Sequence, residues 1–279
     1  MVVLQVIVGG LLLGAIYALF SSGLTLIWGM MNFINFAHGE FVMLGMYVAF
    51  LVVVWLHGGP AVFTLAAAFA LLVLGIAIYL SLIRHVIRGP MLAQILSTFG
   101  LALLLRYTAF YIFSANFVSL PQTWLAGTVN FAGVYLPVAQ LVGGVIAIAL
   151  TVALHILLTH STIGSRLLAV AEDRAAAMLM GIRPDRMQML AWGLSAGALM
   201  ATAYPWSPSV GETFGLITFV VVALGGFGSV LGSLYAGLII GLIQAVSAFW
   251  LGAIYKDIVV YGLFVALLWF RPQGLMGKA

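Results

Sequence analysis

Charge is what this chain has least of. Charged residues make up 6% of its 279 residues, against roughly 25% in a soluble domain, whose surface must be solvated. Five stretches, 1–39, 41–83, 107–165, 187–211 and 213–255, hold no Asp, Glu, Lys or Arg. Cysteine is absent, which excludes disulfides and thiolate metal sites. A basic N-terminal region is also missing, so residues 4–27 read as a retained span and not as a cleaved signal peptide. No polar region is long enough to fold by itself, so residues 1–279 are expected to form one membrane domain. The formal net charge of +4 comes from basic residues in short loops, which set topology and make no nucleic-acid patch.

What fills the chain is hydrophobic side chain, 65% of all residues. A helix crosses a bilayer with about 20 apolar residues, so most of the charge-free stretches hold one or two spans. A membrane β-barrel would instead alternate over segments of about ten residues, and the runs here are continuously apolar. The expected fold class is all-α, a polytopic transmembrane helical bundle.

Three basic clusters fix its orientation: Arg84 and Arg88; Arg166, Arg174, Arg183 and Arg186; and Arg271 with Lys278. Placing all three in the cytoplasm sets the parity of the spans between them. Three spans, 4–28, 39–56 and 61–83, precede the first cluster, which puts the N-terminus outside. Two, 91–113 and 135–158, lie between the first and second clusters and flank an outside loop, 114–133, rich in turn formers. After the second come 188–206, 214–226, 229–251 and 257–270, with the C-terminus cytoplasmic. The segment 214–226 rises only about 20 Å and reads as a half-helix or part of a re-entrant pair. Eight or nine membrane segments are expected in all. Glycine is abundant, with 32 residues, many at GxxxG spacing: Gly10/Gly14, Gly193/Gly197, Gly211/Gly215, Gly228/Gly232 and Gly237/Gly241. In a bilayer this spacing lets helix backbones approach closely.

Transport sites are sought where glycine or polar residues break hydrophobic segments in both halves of a chain. Two segments qualify: GMMNFINFAHGEFVMLG (29–45) and VVVALGGFGSVLGSLYAG (220–237). They share one pattern, G-x-x-x-x-L-G, as Gly39 to Gly45 and Gly226 to Gly232. The candidate path or gate residues are Asn32, Asn35, His38, Gly39 and Glu40 in the first, and Gly225, Gly226, Gly228 and Ser229 in the second. A purely structural reading stands beside this one. Glu40 would occupy the first turn of the second span, where a carboxylate suits the helix dipole, and Asn35 or His38 would cap it, all near the cytoplasmic edge. Arg106, the most deeply placed charge, is expected to snorkel to the outer interface beside Tyr107 and Tyr111. Glu212 reads as a solvated residue of an outside loop, and Lys256–Asp257 marks the outer end of the last span. Gln94, Ser97, Thr98, Gln244 and Ser247 are expected to hydrogen-bond to neighbouring helices.

The longest charged segment is STIGSRLLAVAEDRAAAMLMGIRPDRM (161–187). Within it AEDRAAAMLMGI reads as a short helix, with Asp173 at its start and Gly181 as its stop. Its Ala176, Leu179 and Met180 would dock on another protein or lie along the membrane surface. Other motifs fail on context. GLSAG (193–197) lies in a predicted membrane helix, where a nucleophile elbow cannot form. HGE (38–40) is not a zinc-protease motif, and GGFGSVLG lacks the lysine of a P-loop. The chain has no motif for ATP.

Three stretches together resemble one family. YALFSSGLTLIWGMMNFINFAHGEFVMLGMYV (17–48), with its NFAHGE core, is similar to the signature of bacterial branched-chain amino acid ABC transporter permeases. TIGSRLLAVAEDRAAAMLMGI (162–182) resembles their cytoplasmic coupling segment. VVVALGGFGSVLGSLYAGLIIGLIQA (220–245) and RPQGLMG (271–277) resemble their C-terminal region. The resemblance implies a multi-pass permease subunit of the bacterial inner membrane, itself not an enzyme. It works with a second homologous permease, two cytoplasmic ATPases that use the ATP, and a periplasmic binding protein that delivers Leu, Ile or Val. No cofactor is implied for the permease. The coupling helix would span 172–182, in a segment of about 159–187, with Arg166, Glu172, Asp173, Arg174, Ala176, Ala177 and Gly181 facing the ATPase. The E-A-A-x-x-x-G pattern common in importers is met from Ala176 to Gly181, with Ala175 in the Glu position. Where the family tends to carry arginines after the glycine of this segment, this chain has Ser165 and Leu168, with Arg166 nearby. Permeases of the same superfamily for urea, short amides or other amino acids, and a stand-alone secondary transporter, remain alternatives.

Overall fold

The computed structural model describes residues 2–87, 89–120, 127–131, 133–183, 205–271 and 273–276. Where an apolar run is uninterrupted it is helical, because backbone groups facing lipid must satisfy one another within the segment. In order the helices are α1 (Val2–Met31), α2 (His38–Leu56), α3 (Pro60–Ile78), α4 (Met91–Phe113), α5 (Val138–His160), α6 (Thr162–Glu172), α7 (Arg174–Leu179), α8 (Val210–Gly225), α9 (Val230–Trp250) and α10 (Lys256–Phe270). Helix α3 runs on through a π-turn, Tyr79–Ile83, into a last turn, Arg84–Val86. Six helical stretches among the described residues are long and apolar enough to cross a membrane, and α8 is a shorter apolar helix.

The expected spans match these helices closely, save that 188–204 and the GLSAG stretch lie outside the described residues. Helix α10 has 15 residues and rises only about 22 Å, short of the roughly 30 Å hydrocarbon core. The loop after α4 is not all turn. It contains an antiparallel hairpin, β1 (Thr128–Phe131) with β2 (Val134–Pro137), in the register Thr128↔Pro137 to Phe131↔Val134. The helix expected in the charged segment begins at Asp173, whose φ of −147° lies outside the helical region, and a further helix, α6, precedes it.

The frame is the antiparallel pair α1 and α9. A Cβ at Gly10 or Gly14 would strike the backbone of Gly241 or Gly237, and one at Gly29 would strike Gly228. The two GxxxG pairs Gly10/Gly14 and Gly237/Gly241 therefore close on each other, as close-approach motifs do in bilayers. Further along, Thr25 and Ser233 share a hydrogen bond of 2.5 Å between their hydroxyls. Helix α2 is the most enclosed span, and α4 lies at the periphery with Leu92, Leu96, Leu104 and Tyr111 exposed. Such apolar exposure suits a lipid surface. At the end of the bundle carrying the arginine-rich segment, here the basic end, Leu167, Val170 and Ala177 bury themselves against Leu26, Leu158 and Val230. Helices α6 and α7 are thus tied to α1, α5 and α9.

Candidate functional site

Helix α1 ends at Met31 because Asn32 turns left-handed, with φ of +49°, a conformation asparagine tolerates better than most residues. Residues 32–37 are not helical. They run back beside α1 toward the middle of the bundle. Asn35 accepts a hydrogen bond from the Ala37 amide at 3.0 Å, and Thr98 of α4 donates to the Ile34 carbonyl at 3.3 Å. His38 then donates from Nε2 to the Phe20 carbonyl at 2.7 Å. Phe20 lies eleven residues before the end of α1, about 16 Å along its axis. Helix α2 therefore begins deep inside the bundle.

This corrects the expected position of the pair. His38 and Glu40 do not sit at the edge, because the returning turn carries them inward. Neither Asn35 nor His38 caps α2, which has no side-chain cap. Asn35 closes the turn that precedes the helix, and His38 reaches across to α1.

A second helix starts inside the bundle at the same level. Trp206 pairs through its backbone with Val118, both hydrogen bonds being 2.8 Å. Its buried ring packs on Tyr47 and Phe50 of α2. From Val210 helix α8 runs the other way, reaching the basic end at Gly225. The two helix starts cross at glycines, where a Cβ on Gly39 would enter the backbone of Gly211 and Gly215. Each start has the same local form: a helical-φ N-cap (Ala37, Ser209), then a glycine (Gly39, Gly211), then a glutamate in the first turn (Glu40, Glu212).

Arg106 of α4 joins them. Its Nε and Nη2 donate to Glu40 Oε1 at 2.9 and 2.6 Å, and its Nη1 donates to Glu212 Oε2 at 2.8 Å. The side chains are 2% exposed for Glu40, 18% for Arg106 and 62% for Glu212. Arg106 thus does not snorkel outward with Tyr107 and Tyr111. Those rings lie exposed, while the guanidinium turns inward to two carboxylates that it can hydrogen-bond together. Glu212 is likewise no loop residue but a partner in the cluster. The triad carries a formal charge of −1. Glu40 Oε2 lies against Gly211. With Asn35 Nδ2 and His38 Nδ1, it is a buried atom without a hydrogen-bond partner among the described residues.

The second predicted segment lies elsewhere. Gly225, Gly226, Gly228 and Ser229 form the tight connection from α8 to α9 at the basic end. Gly226 and Gly228 take φ of +96° and +85°. Gly225 touches the backbone of Gly232, and Ser229 caps α9 by accepting from the Gly232 amide at 3.0 Å. The shared G-x-x-x-x-L-G pattern therefore marks no equivalent places. The true counterpart of Gly39-Glu40 is Gly211-Glu212. These are the two Gly-Glu pairs of the sequence, a signal that was there to be read.

Asn32, Gly228 and Ser229 do meet Glu172 around one cleft of about 690 Å³ at the basic end, with Thr25, His155 and Gln273 also on its wall. Asp173 caps α7, accepting from the amides of Ala175 and Ala176 at 2.8 and 3.0 Å. Gly181, with φ of +78°, ends α7, as its amide and that of Ile182 bond back to Met178 and Ala177 at 3.0 Å each. Arg166, Glu172 and Ala176 are exposed, as are Leu179 and Met180, whereas Ala177 faces the bundle. The backbone of Arg174 opens α7.

A family model described as the permease component of the branched-chain amino acid transport system matches residues 6–268. The high-affinity branched-chain amino acid transport system permease protein LivH of Salmonella typhimurium is 30% identical, over 99% of this chain and 96% of its own. The corresponding protein BraD of Pseudomonas aeruginosa is also 30% identical, over 99% and 96%. A probable branched-chain amino acid transport permease protein LivH of Methanocaldococcus jannaschii is 26% identical, over 98% and 92%. Among solved structures, PsaBC from Streptococcus pneumoniae in complex with Fab superposes with a TM-score of 0.54 at 10% identity, covering 95% of this chain and 91% of that one. That likeness speaks to fold alone.

Proposed function

The chain belongs to the family of branched-chain amino acid transport permease components, and on that premise we propose that it is the permease subunit of an ABC importer moving branched-chain amino acids across the bacterial inner membrane. The observation that carries the reading is the family match over nearly the whole length, residues 6–268. The chain has no ATP motif, so ATP is bound and hydrolysed on two separate ATPase subunits. Helix α7, capped at both ends and presenting Leu179 and Met180 outward, is the element that engages them. Arg166, Glu172, Asp173, Arg174, Ala176, Ala177 and Gly181 form or support that contact. A second homologous permease completes the path, and a periplasmic binding protein delivers the substrate. Closure of the ATPase pair moves α6 and α7, and with them α1, α5 and α9.

The test is uptake of labelled leucine into vesicles holding the complete importer, with and without ATP. Uptake that needs ATP and the ATPase supports the reading. A second reading, stand-alone secondary transport, is favoured by the ionisable triad inside the bundle. Uptake driven by an ion gradient, without the ATPase, would establish it and sink the first.

A further inference from the structure

We propose that the Arg106–Glu40–Glu212 cluster is a binding site for the charged head of an aliphatic α-amino acid on its way through the membrane. The proposal rests on the transport reading above.

Charge balance comes first. One guanidinium faces two carboxylates, so the cluster lacks one positive charge, and inside a membrane an uncompensated charge is costly. An ammonium group pairs with the excess carboxylate, although the zwitterion as a whole adds no net charge to the cluster. The open positions are where such a group needs them. Glu212 bonds Arg106 through one oxygen only and is 62% exposed. Glu40 Oε2 is unpartnered among the described residues but buried against Gly211, so Glu212 is the carboxylate open to a ligand. Arg106 uses three of its five N–H donors on the two carboxylates, which leaves two for a substrate carboxylate. The starts of α2 and α8 meet at the same place, and helix N-termini favour an anionic group.

The surface beside the cluster fits the rest of the ligand. Leu216 and Phe219 follow Glu212 on one face of α8, at one and two turns. Leu216 is 48% exposed. Phe36 is 38% exposed and leans on the Phe219 ring, their centroids 5.2 Å apart. A charged patch therefore gives way, about one helical turn toward the basic end, to an apolar shelf. This is the pattern of a zwitterion carrying a short branched hydrocarbon.

The proposal is tested by thermal shift and equilibrium binding on the purified full chain in lipid nanodiscs. The probes are L-leucine, isoamylamine (leucine without its carboxylate) and 4-methylpentanoate (leucine without its ammonium). Because the site is short of positive charge, leucine and isoamylamine should bind and the acid should not. Glu212→Gln should weaken amine binding about tenfold or more, as loss of a charge-assisted bond does. This variant keeps the fold, since Glu212 is largely exposed. Leu216→Ala should weaken isoamylamine and leave ethylamine unchanged. Equal binding of amine and acid, or unchanged amine affinity in Glu212→Gln, overturns the site. The complete importer separates this from the transport reading. Wild-type ATP-driven leucine uptake with no amine binding to the chain refutes the site alone. Amine binding that Glu212→Gln abolishes, without amino acid uptake by the wild type, supports the site and refutes the transport reading.

Discussion

Removing the guanidinium of Arg106 should damage the protein almost entirely through Glu40. The two ion pairs have nearly equal lengths, 2.6 and 2.8 Å, but their settings differ: Glu40 is 2% exposed and Glu212 62%. Breaking a buried pair by removing one partner costs about 3–5 kcal/mol, because the remaining charge is stranded. An exposed pair contributes about 0–1 kcal/mol. Arg106→Gln should therefore destabilise the chain by about 3–5 kcal/mol, whereas Glu212→Gln should cost under about 1 kcal/mol. The double variant Arg106→Gln/Glu40→Gln strands no buried charge and should recover much of the loss. The assay is equilibrium unfolding of the purified chain in mixed micelles, run as a double-mutant cycle on Arg106 and Glu40. A coupling below about 0.5 kcal/mol, or equal costs for Arg106→Gln and Glu212→Gln, would refute the burial argument.

Three further changes address other contacts. Gly39→Leu places a side chain where the Gly211 and Gly215 backbone lies, so it should cost about 1–3 kcal/mol or more through overpacking and lower the yield of folded chain on size exclusion. Asp173→Ala removes the two bonds that start α7 and should cost about 1 kcal/mol; its readout is weaker ATPase copurification with an unchanged membrane fold. Leu179→Glu alters an exposed side chain, so it should leave thermal stability within about 0.5 kcal/mol while abolishing ATPase copurification. Normal copurification would remove α7 from the contact.

The helices were legible because continuous apolar runs leave the backbone little choice in a bilayer. The run 91–113 gave α4 residue for residue, and Asp173 and Gly181 announced the ends of α7. Depth was not legible. Nothing local in NFINFA says that the chain doubles back, since the hydrogen bond fixing it links His38 to Phe20 across another helix. Once Glu40 is misplaced, Arg106 has no visible partner, because its carboxylates lie 66 and 106 residues away along the chain. The glycine–leucine spacing shared by the two segments reports helix packing. The matching helix starts are marked by the Gly-Glu pairs, where the small residue admits the crossing and the carboxylate meets the arginine. The π-turn at Tyr79–Ile83 and the β1–β2 hairpin depend on packing that composition does not encode.

A helix ends with carbonyls that have no partner of its own, and α8 has two of these taken up by a distant piece of chain. Leu275 donates to the Leu224 carbonyl at 2.7 Å and Met276 to the Gly225 carbonyl at 3.0 Å. Gly274 sits close enough that a Cβ would strike the backbone of Gly226. At its other end α8 is held by the close crossing of Gly211 and Gly215 with Gly39. It therefore behaves as a lever gripped at both ends, unable to tilt without carrying the tail along. The residues after α10 form a linkage, and a spin label at Gln273 should report the swing of a helix whose charged end lies inside the bundle.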